Sequence, residues 1–323
     1  MRILLLVNAS ASSVTARARV VIQKALSADH DVTLAETSRR GHATRLAQGA
    51  AVDGMDVVVV LGGDGTLNEA ANGLAGTTTA LGVLPGGSTN VFARSIGMTN
   101  DPIEATGELV AALAKKTFRR VGLGSVNDRY FLFHVGAGFD AAVVSQVERR
   151  SGLKRYAGHA LFVYAGFATW FRHYDRSRPR FSVRHADGEV VDDAYLAICL
   201  KNDPYTYLGR TPLTLAPDAY LDSRLAVLSF RTLDLGKMLW LIGSSLRGGR
   251  ALRQSRRTVY RVDQGEVTIS GYGPFPYQVD GDYLGETDRL ELRYEPDALT
   301  LVVPGPPLSP PLEASRSRRP PGW

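Results

Sequence analysis

Two glycine-rich turns and three aspartates carry the most specific chemical signal in this chain. The first turn lies in Val57-Val58-Val59-Val60-Leu61-Gly62-Gly63-Asp64-Gly65-Thr66-Leu67-Asn68-Glu69, where an apolar run gives way to glycines and then to a helix start. Glycines let the backbone come close to a ligand. The unpaired N–H groups and positive dipole end of the helix suit a phosphate. No lysine follows, so this is not a Walker A loop, and the Rossmann G-x-G-x-x-G spacing is also missing. A carboxylate inside a phosphate turn, Asp64, repels its ligand unless a metal ion lies between them. Standing alone, such a turn reads as a plain strand-to-helix connection. It is not alone. Leu84-Pro85-Gly86-Gly87-Ser88-Thr89-Asn90-Val91 repeats the pattern, and the first apolar run ends in the small polar residues Asn8-Ala9-Ser10-Ala11-Ser12. Turns at the carboxyl ends of strands in one α/β sheet form a shared crevice. Asp280-Gly281-Asp282 matches many hairpin turns when taken alone, and gains specificity from Asp64 upstream.

Positioning these residues takes an ordered scaffold, and the apolar pattern supplies one. Runs at Arg2–Asn8, Asp31–Thr37, Asp56–Leu61 and Ala80–Leu84 read as strands. Between them, Ala16–Leu26, Ala43–Ala51, Thr66–Leu74 and Ser88–Ser95 read as helices, the alternation of a parallel α/β sheet. Asp101-Pro102 reads as the cap and first residue of a helix reaching about Lys116. From Phe118 the rhythm becomes antiparallel, with turn signals at Asn127-Asp128, Asp187-Gly188, Asp203-Pro204 and Gly271-Tyr272-Gly273-Pro274. Phe181–His185 and Glu189–Leu200 form an expected hairpin, with helical interruptions at Asp140–Phe171 and Leu233–Leu246. The expected architecture is an α/β domain over 1–117 and a mainly antiparallel β-sandwich over 118–304. A Pro- and Arg-rich tail at 305–323 is expected to be disordered.

The chain has 323 residues, 44% of them hydrophobic and 22% charged, which excludes a disordered or fibrous protein and allows two domain cores. A single cysteine, Cys199, excludes an internal disulfide framework and any Cys-rich metal site. The longest nearly uncharged apolar stretch, Ala160–Phe171, is shorter than the ~20 residues that span a bilayer. A soluble, intracellular protein is expected. The net charge of +6 is local: Arg149–Arg180 holds eight basic residues against Asp175 alone. Aromatics including Tyr156, Phe162, Trp170 and Tyr174 interleave with that charge. The pattern suits anionic lipid headgroups and equally a core helix with solvated basic ends. Nucleic acid ranks last, because no nucleic-acid motif accompanies the charge. The histidines lack metal-ligand spacing, and Ser88 has no His-Asp partners in sequence, which argues against nucleophilic hydrolysis.

Taken together, Gly62–Glu69, Leu84–Asn90, Gly138-Phe139-Asp140 and Asp280-Gly281-Asp282 resemble the diacylglycerol kinase and sphingosine kinase-like lipid kinases, in order and across nearly the whole chain to about Pro304. The soluble bacterial members, actinobacterial diacylglycerol kinases in particular, look most similar. The resemblance implies an α/β nucleotide-binding domain like that of NAD kinase and diacylglycerol kinase, a β-sandwich, and an active site in the cleft between them. It implies ATP and Mg²⁺ as cofactors and phosphoryl transfer to a lipid hydroxyl. Diacylglycerol is the expected acceptor, with a sphingoid base or other lipid alcohol as rival. NAD phosphorylation and a non-catalytic nucleotide- and lipid-binding module rank lower.

Carried over by residue, the implied ATP contacts are Asn8, Ala9, Ser10, Ala11, Ser12, Thr37, Gly63, Asp64, Gly65, Thr66, Leu67, Asn68, Glu69 and Ser88. Ala9 stands where the family usually has proline. Asp282 takes the position of the family's proton acceptor, usually a glutamate, with Asp280 as metal or orienting partner and Asp64 on the nucleotide's metal through water. Asp140 reads as a helix N-cap and, by resemblance, as part of the carboxylate network leading to the metal. A structural Mg²⁺ is implied at Asp222 with the carbonyls of Ala219 and Arg224, although Ser223 replaces the usual glycine. The expected partners are a lipid at an anionic membrane surface, met from the cytoplasm without a transmembrane segment, and no nucleic acid. Homodimerisation is left open.

Overall fold

The computed structural model describes residues 1–149, 165, 166, 168–249, 252, 255 and 257–304. The tail from 305 onward and most of the basic aromatic stretch between Arg150 and Phe167 lie outside the described residues.

Four parallel strands build the first part: β1 (Arg2–Val7), β2 (Asp31–Glu36), β3 (Val57–Gly62) and β4 (Ala80–Pro85), in the order β4-β3-β1-β2. Every residue of β3 and β4 is buried. That is why their sequences are unbroken apolar runs rather than alternating ones. The crossovers carry α1 (Ala16–Ser27), α2 (His42–Val52) and α3 (Asp64–Leu74), followed by α4 (Val91–Ser95) and α5 (Pro102–Ala114). The expected cap at Asp101 is present: its carboxylate accepts from the N–H groups of Ile103 and Glu104 at 2.9 and 3.0 Å.

The remaining strands are β5 (Phe118–Val126), β6 (Arg129–Phe131), β7 (His134–Gly138), β8 (Phe181–Arg184), β9 (Val190–Ala194), β10 (Leu196–Leu200), β11 (Thr206–Leu208), β12 (Thr211–Leu213), β13 (Leu225–Phe230), β14 (Thr258–Gln264), β15 (Glu266–Val279) and β16 (Asp282–Val302). Among the described residues, helical segments interrupt them at α6 (Phe139–Glu148), a π-helical turn (Thr169–His173) and α7 (Leu235–Ser245). A central path runs β14-β13-β10-β7-β15-β16-β4-β3-β1-β2, so parallel and antiparallel strands share one 14-stranded mixed sheet. The join is β16. Its start pairs antiparallel with β15, its length follows β5, and Leu301 near its end pairs parallel with Leu81 of β4.

Buried side chains group accordingly. Leu299, Leu301, Val302 and Val303 complete the core of the parallel strands. Phe131, Phe181, Val183, Val227, Ile269, Phe275 and Leu290 form a second core, inside the antiparallel region. Two local features differ from the sequence pattern. Helix α4 starts at Val91 rather than Ser88, because Asn90 sits at φ 48° with its amide holding the Gly87 N–H and carbonyl at 2.8 and 2.9 Å. The expected long strand Glu189–Leu200 breaks at Tyr195, whose N–H donates to the Phe230 carbonyl. β9 then pairs with β8, while β10 lies between β7 and β13.

Candidate active site

Three chain segments converge where β1, β3 and β4 end. The Gly86 N–H donates to the Gly62 carbonyl at 2.8 Å, and the Ser13 N–H to the Gly86 carbonyl at 2.9 Å. Asn8 donates from its amide to Thr66 Oγ1 at 2.9 Å. The approach is close enough to demand glycine: a Cβ on Gly86 would lie 2.8 Å from Gly62 N, and one on Gly87 would lie 2.8 Å from Gly63 Cα. The three turns read from the sequence are thus one surface. Thr37 joins it through its N–H to the Val7 carbonyl, and Ser88 lies exposed on the second turn.

Asp64, at the first position of α3, accepts from the N–H groups of Val91 and Phe92 at 3.0 and 3.1 Å. Its carboxylate therefore sits on the start of α4 and ties the two glycine turns together. Leu67 and Asn68 turn inward and are buried, and Glu69 accepts from the N–H groups of Gly41 and Ala43 at the start of α2. Of the residues expected around ATP, these three side chains organise the scaffold instead of facing the turns.

The Asp-Gly-Asp motif arrives from the far end of the chain, at the β15–β16 turn. Asp280 adopts φ 49° and Gly281 φ 83°, the left-handed region that Asp tolerates and Gly favours. The two aspartates have different surroundings. Asp280 is buried and accepts four hydrogen bonds, from the backbone N–H groups of Leu132, Phe133 and His134 at 2.7, 3.0 and 2.9 Å and from Asn68 Nδ2 at 2.8 Å. Burial pushes its pKa up to about 6 while the four donors pull it down. All four partners are donors, as an ionised carboxylate requires.

Asp282 reaches the surface of the cleft. Arg40 Nη2 lies 2.9 Å from its Oδ1 and Arg129 Nη2 3.5 Å from its Oδ2. A Cβ on Gly65 would come 3.9 Å from Oδ1, so the carboxylate stands directly over the start of α3. Asp282 is the main cause that raises the pKa of Arg40. Arg129 also donates to Asn68 Oδ1 at 3.0 Å, linking the Asp282 and Asp280 networks.

Asp140 lies at the second residue of α6, and Gly138 takes the capping place without a side-chain bond. The N-cap reading of Asp140 is therefore replaced. Its half-buried carboxylate accepts from the Tyr205 hydroxyl at 2.5 Å and from Gln278 Nε2 at 2.8 Å. Gln278 Oε1 in turn accepts the Gly281 N–H at 2.8 Å, so Asp140 braces the turn that presents Asp282. Burial raises the Asp140 pKa.

In the loop around Asp222, protein groups and cationic side chains already engage the expected ligand set. Arg119 is ion-paired with the Asp222 carboxylate. The Ala219 carbonyl accepts the Asp203 N–H at 2.9 Å, and the Arg224 carbonyl accepts from Ser223 Oγ at 3.0 Å. Lys201, buried, donates from Nζ to the Leu221 carbonyl at 2.7 Å, bringing an ammonium into the same loop. One Asp222 oxygen and the Ala219 and Arg224 carbonyls thus each have a protein partner. Among the described residues, no group of three or more His, Cys, Asp or Glu could hold a metal ion.

Arg40, Arg129, Gln278, Tyr205 and Lys201 carry no spacing signal. Arg40 and Arg129 meet Asp282, and Tyr205 and Gln278 meet Asp140, across long stretches of sequence.

Comparison with known proteins fits this geometry. Residues 2–126 match the model of the diacylglycerol kinase catalytic domain. The Pseudomonas aeruginosa (strain UCBPP-PA14) protein named "Probable lipid kinase YegS-like" is 30% identical over 309 residues, 95% of each chain. This chain belongs to the diacylglycerol kinase and YegS-like lipid kinase family. A Bacillus subtilis (strain 168) protein named diacylglycerol kinase is 37% identical over 121 residues, 36% of this chain and 39% of its own. A crystal structure titled as a diacylglycerol kinase of Bacillus anthracis strain Sterne shares the fold at a TM-score of 0.68 and 21% identity, covering 94% of this chain and 96% of that one. Family membership makes the chain a lipid kinase and brings nucleotide use with it. Among the described residues, no helix is long and apolar enough to cross a membrane.

Proposed function

We propose that the chain transfers the γ-phosphate of magnesium-bound ATP to the hydroxyl of diacylglycerol, forming phosphatidate at the inner face of a membrane. The observation that carries the reading is the position of Asp282: a carboxylate from the last strand stands over the helix start of a glycine turn. Phosphoryl transfer requires a positioned nucleotide, neutralised phosphates and an oriented hydroxyl, and needs no covalent intermediate. The turn backbones around Gly62–Thr66 and Gly86–Ser88 receive the phosphates, together with Asn8–Ser12 and Thr37. Asp64 would be the residue to hold the nucleotide's metal ion, which would neutralise the phosphates.

Arg40 and Arg129 are the nearest cations to the reaction space. When the terminal phosphate engages either guanidinium, an oxygen of Asp282 opens toward the lipid hydroxyl. Asp282 then takes the hydroxyl proton as the lipid oxygen bonds to the γ-phosphorus and the bond from that phosphorus to the bridging oxygen breaks, releasing ADP. Asp280 and Asp140 position this group from behind, without touching substrate. The division into a nucleotide part (1–117) and a lipid part (118–304) belongs to the same proposal.

The test uses the purified chain with labelled ATP, Mg²⁺ and a panel of diacylglycerol, a sphingoid base, other lipid alcohols and NAD. Labelled phosphatidate is the expected product. Asp282→Asn should lower kcat by roughly two orders of magnitude or more with little change in nucleotide affinity, and Asp282→Glu should retain activity. A sphingoid-base phosphate as the main product replaces diacylglycerol as acceptor. Normal turnover by Asp282→Asn removes the carboxylate from the chemistry.

A further inference from the structure

Helix α7 turns a cluster of large apolar side chains outward. Met238 and Ser245 face the protein, where Met238 packs on a small core containing Leu228 and Phe230 and Ser245 is buried. The outward side carries Leu239, Trp240, Ile242 and Leu246, exposed at 48, 57, 45 and 37%. At 3.6 residues per turn these four fall on one side of the helix. Single exposed apolar residues need no explanation, but four in eight positions form a patch.

Its surroundings indicate what covers it. From Asp234, directly before the helix, to Arg257 the sequence holds six Lys and Arg residues against Asp234 as the single acidic residue. Arg247 directly follows the last apolar side chain and is exposed. Just before the helix, Trp170 donates from its indole N–H to the Leu233 carbonyl at 2.8 Å, and the Arg176 guanidinium lies 3.5 Å from the centre of the Trp170 ring. The described end of the first basic segment is thereby fastened to the root of α7. An apolar helix face next to exposed Arg247 and in a sequence segment of strong basic excess matches an anionic bilayer: hydrocarbon and interface take Leu, Ile and Trp, and headgroups take basic side chains.

We propose that α7 is the membrane-docking helix of this protein, lying in the plane of an anionic lipid surface with Leu239, Trp240, Ile242 and Leu246 inserted. The proposal rests on the lipid kinase reading for its purpose, though vesicle binding is measured without any turnover. The full chain is mixed with vesicles of equal phosphatidylglycerol and phosphatidylcholine, and separately with pure phosphatidylcholine. Binding should favour the anionic vesicles and weaken with salt. Leu239→Ser/Trp240→Ser/Ile242→Ser should bind about tenfold or more weakly. The same variant should keep wild-type kcat on a short-chain, water-soluble diacylglycerol and lose activity on diacylglycerol held in vesicles. As a second readout, tryptophan emission should shift to the blue on adding anionic vesicles, and the shift should vanish in Trp240→Phe. Equal vesicle binding by the triple-serine variant and the wild type overturns the proposal. So does a wild-type dimer in sedimentation that the variant dissociates without change in vesicle binding, since the face would then belong to a second copy. Loss of kinase activity on every lipid with vesicle binding intact counts against the proposed function and leaves the docking helix standing.

Discussion

Replacing Gly65 by alanine separates reaction space from folding. Gly65 is the second residue of α3, and a Cβ there meets nothing closer than Asp282 Oδ1 at 3.9 Å. That is ordinary contact, so the fold has room for the methyl. Alanine is favoured over glycine in a helix by up to about 1 kcal/mol. The variant should therefore melt at the wild-type temperature or about 2–4 °C above it. Activity should move the other way. A phosphate oxygen held by the α3 N–H groups below Asp282 needs hydrogen bonds of about 3 Å to them. A methyl carbon holds atoms off at about 3.5–4 Å, which displaces the reacting groups by about 1 Å, and a shift of that size costs about 100-fold. Circular dichroism melting gives the first quantity and labelled phosphate transfer to diacylglycerol the second. Wild-type kcat/KM in a folded Gly65→Ala protein would refute the placement of the reaction between α3 and Asp282. A melting point several degrees lower would show that the gap is already filled.

Three further outcomes follow from other contacts. Gly86→Ala puts a methyl 2.8 Å from Gly62 N and Val14 Cγ2, so stability should fall by about 1–3 kcal/mol and nucleotide-induced thermal stabilisation should shrink; an unchanged ATP response would detach the second turn from the site. Because Lys201 and Arg119 already supply positive charge to the Asp222 loop, neither EDTA nor Mg²⁺ alone should move the melting temperature, and Lys201→Met should lower it; a magnesium-dependent rise in the wild type would restore the metal there. Burial lowers the His134 pKa from 6.5 to about 3, so the folded chain stays neutral there while the unfolded chain takes a proton below pH 6.5. Stability from this residue is complete above pH 6.5 and is lost on acidification towards pH 3, at about 1.4 kcal/mol per pH unit. Asp280, raised to about 6, works in the opposite direction as pH falls from 6 towards its ordinary value of 3.8. The informative quantity is thus the difference between wild type and His134→Phe in urea unfolding at pH 7 and pH 5, and an equal loss in both would remove His134 from the acid response.

The parallel half was legible because burial on both faces leaves long apolar runs such as Val57–Leu61, and because the glycines of the turns are required by backbone contact. The Asp-Gly-Asp turn was visible, but not the difference between its members. Asp280 became a buried anchor only through the N–H groups of Leu132, Phe133 and His134, and nothing in three consecutive residues encodes that arrangement. Asp140 sits near a helix start, so it reads locally as a cap; its partners Tyr205 and Gln278 come from elsewhere in the antiparallel region. Arg40 looks like any loop arginine until β15 and β16 bring Asp282 beside it. Helix α7 has the length and periodicity of an ordinary amphipathic helix, and only its packing shows which side turns outward.

Strand β16 has a consequence for how such a chain can be inherited. It begins at Asp282, over the glycine turn, and ends with Leu299, Leu301 and Val302 sealed into the core of the parallel strands. A genetic cassette ending at residue 117 would carry the phosphate turns away without the strand that flanks β4, leaving an open sheet edge beside an uncovered core. Recombination that exchanges the antiparallel part must therefore bring a compatible last strand with it. The two halves are free to diverge in their loops, but they travel as one hereditary unit.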